Sequence, residues 1–567
     1  MWKKALSLLL SVLLAALLFA SCEPKTTDIV LAVDSIPEST DPAIADSTAA
    51  STIAANCFEG LVRVDENGNV QSAAADHWSI SDDGLTYTFI LHSGLTWHVP
   101  DADSAEAAAK NPLGEDFILG FPTAMTADDF VFGLQRAVSG NTAAPGASRL
   151  FGIRNAEAIY NGELPASRLG VSAPNDTTVR IKLSAPDSNF LTSLASPCAM
   201  PCSRAFFKAT AGRYGLTPEL LLSNGPYYLS GRNANGTSLT LTKNESYTGA
   251  FPGEVDTCTL RLAKEQLMDG EEGPLEVLTD FASDEGVLDG AILSAAGASS
   301  LPRQFEVSKY ANQVHALVFN MQSDFSGNED LRLALTTATD LSTLITKDMT
   351  AAEGVIPDCC NAVSGTAYRT AAGQAKGNAF NLKKAKKYYA AAQEKFEAVA
   401  TEDEPAPDSF AIRFLCLQSD KNLAQSLVQN WQKVFGTSLS ITVDTVETQP
   451  ELQRALAAGS YDVAYTTLRS SELVAANFLK QFTGDTEANL VNLASDEYDE
   501  LLRGAVSATD PGVITRYCLS AEQYLMKQGI LIPVSQENTC LAYKKKTADG
   551  LKVLPTGDTY LIYLVKP

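Results

Sequence analysis

Ten cysteines and four histidines carry most of the latent chemistry of this chain, and their spacing decides how much of it can be used. Cys198 and Cys202 sit in Pro197-Cys198-Ala199-Met200-Pro201-Cys202, a span that could close a small disulfide, offer two thiolates to a metal, or bury two free thiols. Metal fits least well, because zinc sites show C-x2-C spacing with a second ligand pair and no histidine lies nearby. His77, His92, His98 and His315 form no H-E-x-x-H helix, and neither GxxxxGK[ST] nor GxSxG occurs. Zincin, phosphate-loop and α/β-hydrolase chemistries therefore lack their motifs. Asp82 and Asp83 are an adjacent acid pair, but Gly84 follows, and turn chemistry explains them better than general acid–base work. The lysine runs Lys383 to Lys387 and Lys544 to Lys546 read as solvated faces rather than phosphate sites. The expectation is a protein that is not an enzyme, with no cofactor and no bound metal.

Elements that could position a binding site are legible along the chain. Asp28–Val33 is a short apolar run, Asp65–Asn69 a turn, and Leu85–Leu91 alternates apolar and polar residues as a half-buried strand does. Thr126 precedes two acids and apolar residues at helical spacing, which marks a helix start. Asn224-Gly225-Pro226 is a turn, Asp269–Pro274 an acidic connector, and Asp330–Ile345 and Leu382–Val399 have helical periodicity. A solvated loop separates Val399 from Phe410. Beyond it, Phe410–Leu417, Asn422–Phe435 and Leu439–Val443 read as strand, helix and strand, a βαβ unit with Tyr461–Thr467 as the next strand. No internal repeat is found.

Composition narrows the class. At ~150 residues per domain, 567 residues predict three or four folding units or fewer large ones. With 43 Lys and Arg against 67 Asp and Glu the net charge is −24, which repels phosphate backbones and argues against a nucleic-acid partner. One stretch alone is apolar enough to enter a bilayer. Lys3 and Lys4, the uncharged run Ala5–Ala20 and the small residues before Cys22 read as a secretory signal peptide over residues 1–21.

The end of that leader resembles a lipobox, whose cysteine is lipidated, although Phe19 stands where Leu is usual. Downstream, a series of short motifs keeps a characteristic order: Thr40-Asp41-Pro42, Phe58–Val62, Gly68-Asn69-Val70, Ala75–Trp78, Asp83–Phe89, Thr126–Phe130 through Arg136-Ala137, Ser223–Tyr227, Asn244–Tyr247, Asn320 with Leu331–Leu335, and Ile532-Pro533-Val534. Together, across residues 28–567, they resemble the extracellular solute-binding proteins of peptide-type ABC importers, the oligopeptide, dipeptide and nickel-binding group known as solute-binding family 5.

The resemblance implies an α/β, two-lobed periplasmic-binding-protein-like (Venus-flytrap) fold. Residues 22–27 would be a lipidated tether. Lobe I would span 28–315 with an extra subdomain near 66–180, lobe II 316–525, and residues 526–567 would return to lobe I. The chain would cross between lobes near Asn312–Asn320 and again before Pro533. Implied partners are a peptide or other small solute, ABC permease subunits, and the outer face of the cytoplasmic membrane through a lipid on Cys22; the protein would act as a monomer outside the cytoplasm.

Peptide-binding members place a Trp and, three residues later, an amine-pairing Asp after the strand that Tyr461–Thr467 matches. Here those positions hold Leu468 and Ser471, with Arg469 between them and Glu472 next. An ammonium buried without a counter-charge costs several kcal/mol, so Glu472 would have to replace the acid, or Arg469 would hold a carboxylate or other anion. Asp46 and Thr48 match a ligand-lining stretch, and His315 lies in the first crossover. An insert between Trp97 and Thr126, helix-capable over Asp101–Lys110, would decorate the extra subdomain. Alternatives at this stage are a non-peptide solute (oligosaccharide, opine or metal chelate), a peptide sensor or adhesin without an importer, and an extracellular hydrolase.

Overall fold

The computed structural model describes residues 27–562 except 265–274, 284, 346–348, 364, 401–408, 471, 485–488, 546–550 and 558. The expected leader, Cys22, Ser471 and the whole of the acidic connector lie outside the described residues.

Chain order explains the architecture. The run Asp28–Val33 is β1, and α1 (Thr48–Cys57) follows, its N-terminus capped by Ser47. Strands β2 (Ala75–Ile80) and β3 (Thr86–Leu91) form a hairpin around Gly84, which takes φ +70 and so needs glycine. Helix α2 (Ala127–Ala137) starts at Thr126 in a capping box with Asp129, as its sequence predicts. It packs on β4 (Val171–Asn175) and β5 (Thr178–Lys182), which complete a four-stranded antiparallel sheet with β2 and β3 in the order β2-β3-β5-β4. The insert forms two short helices, Ala105–Lys110 and Glu115–Gly120, and rests on Phe206 through Phe117 and Phe121.

A larger sheet carries the rest. Its strands are β1, β6 (Tyr227–Arg232), β7 (Ser238–Lys243), β8 (Thr257–Lys264), β9 (Gly290–Ser294), the long β10 (Phe305–Phe319), then β11 (Phe410–Leu417), β12 (Leu439–Val446), β13 (Val463–Arg469) and β14 (Leu531–Lys544). The order is β12-β11-β13-β10-β14-β9-β1-β8-β7-β6. β10 and β14 pair antiparallel from Phe305↔Lys544 to Val318↔Leu531, so both passages of the chain between the lobes run side by side. Their outer halves pack with different cores. Leu541 and Tyr543 join a cluster with Leu31, Leu260 and Ile562, whereas Ala316, Val318 and Leu531 join one with Leu468, Phe478 and Leu525. The buried Asn56 of α1 clasps the returning C-terminal segment, donating to the Tyr560 carbonyl at 2.8 Å and accepting from the Ile562 amide at 2.9 Å.

In lobe II the expected βαβ unit is present. β11 and β12 pair in parallel, and the helix between them, Lys421–Phe435, buries Ala424, Leu427, Val428 and Trp431 at helical spacing. β13 adds to β11 in parallel. The periodicity of Asp330–Ile345 yields a shorter helix, Glu329–Ala338, because Asp340 caps a separate 3-10 turn with its carboxylate on the Ser342 amide. Leu382–Val399 is helical throughout, and its lysines 383, 384, 386 and 387 are exposed around the buried Ala385.

Two buried ion pairs hold lobe segments in place. Arg136 pairs with Asp41, and Arg369 with the fully buried Glu522, whose oxygens also accept from the Tyr368 hydroxyl at 2.9 Å and the Ile356 amide at 3.0 Å. Cys57, Cys198, Cys202, Cys258, Cys360, Cys416 and Cys518 are free thiols. Cys198 and Cys202 are separate: the first donates to the Gly146 carbonyl at 3.2 Å, and the second accepts from Arg136 at 3.3 Å.

Two stability measurements follow from this packing. Removing the Glu522 carboxylate leaves Arg369 buried without its main counter-charge, so Glu522→Ala is expected to cost about 3–5 kcal/mol in chemical denaturation. Burial raises Asp129 to about 6, so the folded state holds its proton more tightly than the unfolded chain. Its contribution therefore falls as pH rises from about 4 to 6, and Asp129→Asn is expected to flatten that segment of the stability–pH profile.

Candidate functional site

The crossing strands position the candidate site. β10 carries a bulge between Tyr310 and Gln313, and Asn312, fully buried, fills it. Its amide donates to the Thr556 carbonyl at 2.5 Å, its Oδ1 accepts from the Thr539 hydroxyl at 2.9 Å, and its backbone carbonyl accepts the Ser470 amide at 3.0 Å. The side chain thus ties the first crossing strand to the second and to the C-terminal segment, and the backbone carbonyl of the same residue ties it to the chain leaving β13.

Between the lobes lies a cavity of about 480 Å³. Asn67 and Asn69 on the Asp65–Asn69 turn form its lobe I wall, Asp358 and Asn361 its lobe II wall, and Lys309 and Tyr310 of the crossing strand its base. The turn is built by Asp65, whose Oδ1 accepts the amides of Asn67 and Asn69 at 2.9 and 2.8 Å. Asn361 donates across the seam to the Asn67 carbonyl at 3.2 Å. Gly68, at φ +76, passes so close that a Cβ there would lie 2.8 Å from the Asn361 amide nitrogen. A slightly larger cavity of about 530 Å³ lies at the far end of lobe II, lined by Asn320, Arg413 and Asp462. Its polar groups bond one another: Asp462 accepts the Arg413 amide at 2.6 Å, and Asn320 donates to the Tyr461 carbonyl at 3.0 Å. The cavity between the lobes is the better candidate because residues of both lobes form its walls.

Beside the cavity the lobes touch through charges. Arg149 of lobe I meets Glu472 of lobe II at 2.8 Å, and Asp187 approaches Lys480 at 4.0 Å. The Ser188 amide donates to the Val506 carbonyl at 3.1 Å.

A polar cluster sits on the crossing strands themselves. His315 meets Glu537 at 2.7 Å through Nε2 and the Thr467 hydroxyl at 3.1 Å through Nδ1, with its ring stacked on Tyr465 at 5.9 Å. The hydrogen bond from His315 holds the Glu537 carboxyl below the usual range. Burial raises the nearby Asp420, while His315 opposes that rise and Glu537 adds to it. Two acids sharing one imidazole can balance a proton or meet a cationic group. Among the described residues no group of three His, Cys, Asp or Glu side chains has metal-binding geometry.

The residues singled out from the sequence fall in different places. His315, Arg469 and Glu472 gather at the lobe II end of the crossing strands. Leu468 is 1% exposed in the lobe II core, so its backbone alone remains for a ligand. Arg469 ends β13, exposed, opposite Gln313 of β10. Glu472 is half-buried and pairs with Arg149 at 2.8 Å. Asp46 is exposed and Thr48 half-buried at the start of α1, and among the described residues neither hydrogen bonds to lobe II. Ser471 lies outside the described residues. Sequence reasoning missed Arg149, Asn361 and Glu537. They are hundreds of residues from their partners, and no local spacing marks them.

His315→Ala tests the cluster. The stability Glu537 draws from His315 is present above its usual pKa and lost as pH falls through its depressed value. The destabilisation by His315→Ala, measured by thermal denaturation, is therefore expected to be largest near neutrality and to shrink below about pH 4.

Comparison with known proteins agrees with this geometry. Residues 69–489 match the model of bacterial extracellular solute-binding proteins, family 5, middle. The probable deoxycholate-binding periplasmic protein YgiS of Escherichia coli is 27% identical, covering 94% of each chain. A dipeptide-binding protein of Lactococcus lactis is 24% identical, covering 98% of each. Among solved structures, peptide-bound OppA of Listeria monocytogenes superposes with TM-score 0.67 at 20% identity, covering 96% of this chain and all of that one. The unliganded open form of the murein tripeptide-binding protein MppA gives 0.66 at 21%, covering 95% and 96%. Matched to that family model over most of its length, this chain belongs to the family 5 extracellular solute-binding proteins.

Proposed function

We propose that this chain is a lipid-anchored receptor that captures a small solute between its lobes outside the cytoplasm and presents it, unaltered, to the permease of an ABC importer. The observation that carries this reading is the cavity lined by Asn67 and Asn69 from one lobe, by Asp358 and Asn361 from the other, and by Lys309 and Tyr310 of the crossing strand. A solute there touches both lobes and so favours the closed form, by as much as its affinities for closed and open states differ. Peptide is the first solute class to test, given that family relatives are named for dipeptides and oligopeptides. Asn67, Asn69 and Asn361 are among the lining residues, and carboxamides pair with peptide backbone. Lobe I takes residues 28–315 with the return 526–567, lobe II residues 316–525, and the bulge at Asn312 is the pivot.

A second reading has its own support. Glu472 is already paired, Arg469 is exposed at the end of β13, and one relative is named for deoxycholate. An acidic amphipath held by its carboxylate on Arg469 fits these facts.

Residues 23–567, purified and examined by native mass spectrometry, are expected to carry or to take up one solute. A thermal-shift panel of di- to pentapeptides and bile acids then separates the two readings. A ligand at 100 times its Kd adds about 2.7 kcal/mol of stability, well within detection. No shift with any member, and no mass adduct, would remove the receptor reading. Arg469→Ala is expected to weaken an acidic solute about tenfold or more, the scale of about 1.4 kcal/mol; unchanged affinity would place the anchor elsewhere. Cys22→Ser is expected to move the chain from the membrane to the soluble fraction and to abolish labelling with radioactive palmitate.

A further inference from the structure

We propose that the lysine-rich first half of the helix Leu382–Val399, with Phe380 beside it, is a contact surface for an anionic lipid bilayer. The inference goes beyond the receptor reading and does not depend on it. Charge sets the segment apart. Residues 359–393 hold Arg369, Lys376, Lys383, Lys384, Lys386 and Lys387 and no acid, in a chain with 67 acids among 567 residues. At helical spacing Lys383, Lys384, Lys386 and Lys387 share the exposed face opposite the buried Ala385, Tyr389 and Ala392. Phe380 and Leu382, at the head of the helix, are 47% and 43% exposed.

This arrangement works against the helix that carries it. Lys383 and Lys384 stand in the first turn, where the helix dipole disfavours cations, and the lysines repel one another at three- and four-residue spacing. Other helices of this chain start with acids, Asp128 and Asp129 in one, Asp496, Glu497 and Asp499 in another. Neighbouring carboxylates do not relieve the repulsion. Lys395, farther along the helix, pairs with Asp330 at 2.5 Å, whereas among the described residues no carboxylate lies within ion-pair distance of the four lysines. An anionic surface outside the chain would offset both costs.

Two features favour lipid over a soluble polyanion. Phe380 and Leu382 can enter the headgroup region while the lysine stems lie along it with their ammonium groups at the phosphates, and a soluble polyanion offers these apolar side chains nothing. The net charge of −24 does not oppose the contact, because at physiological salt exposed charges more than ~8 Å away are largely screened. The face is also separate from any lipid on Cys22. Asn378 donates to the carbonyls of Met526 and Lys527 at 3.2 and 2.8 Å, just ahead of the lobe II end of β14, whereas β1 pairs through Leu31 with Gly290, which faces Tyr543 at the other end of β14.

The test is flotation of residues 23–567, which carry no lipid, with vesicles of phosphatidylglycerol and phosphatidylcholine in equal parts and with phosphatidylcholine alone. Wild type is expected to bind the anionic vesicles about tenfold better than the neutral ones, or more. Lys383→Gln, Lys384→Gln, Lys386→Gln and Lys387→Gln combined are expected to abolish that difference, with a thermal midpoint equal to or above that of wild type because the repulsion is gone. Should that variant fail to fold, half-molar salt on the wild type is expected to abolish the same difference. Phe380→Ser with Leu382→Ser is expected to weaken binding roughly threefold or more. Equal binding of wild type to both vesicles, or binding that neither the lysine replacements nor salt reduces, overturns the proposal. Binding that polyphosphate competes away and that the Phe380 and Leu382 replacements leave unchanged would assign the face to a soluble polyanion and overturn it as well. A solute panel without a hit would remove the receptor reading and leave this contact standing.

Discussion

Two strands from distant parts of the chain, Phe305–Phe319 and Leu531–Lys544, lie antiparallel and hydrogen-bonded, and every interlobe feature depends on that pairing. Each strand belongs to one core at one end and to another core at the other. A single continuous sheet therefore serves two hydrophobic bodies. The ladder resists shear between the lobes, and its register shifts at two places, between Tyr310 and Gln313, where Asn312 sits, and between His315 and Ala316. Asn312 is fully buried, and its amide, carboxamide oxygen and backbone carbonyl are all bonded. Burying so polar a group is tolerable only when its partners are all present, which concentrates the register of the whole junction on one residue.

The junction determines what the seam can do. With the crossing strand as base, the Asp65–Asn69 turn and the Asp358–Asn361 segment face each other across a cavity of about 480 Å³. The lining is polar and carries Glu66, Lys309 and Asp358. Further charge pairs join the lobes, where Arg149 meets Glu472 and Asp187 approaches Lys480. These pairs are partly exposed and individually weak.

Much of the fold was legible in the residue order. The strand Asp28–Val33, the capped helix after Thr126 and the βαβ unit beginning at Phe410 carry local signals: alternation, an N-cap with acids, and helical apolar spacing. Where local reading overreached, a competing local interaction explains it, as when Asp340 capped a turn of its own and ended the helix that periodicity alone would have continued. The site was less legible. Leu468, aligned with a ligand-lining position, turned its side chain into the core, because alternation along β13 places it on the face packed against Phe478 and Leu525.

The sequence by itself determined the class of protein: the ordered motifs that place the chain in its family are properties of residue type and short-range spacing. Tertiary structure alone decided the seam. Arg149 and Glu472 are 323 positions apart, as are few pairs a linear pattern could suggest, and His315 and Glu537 meet only because β10 and β14 pair in one register. Ion pairs and cavity walls of this kind depend on where two independently packed bodies come to rest against each other. No periodicity along the chain encodes that, because the energy that selects it comes from contacts made after each body has folded.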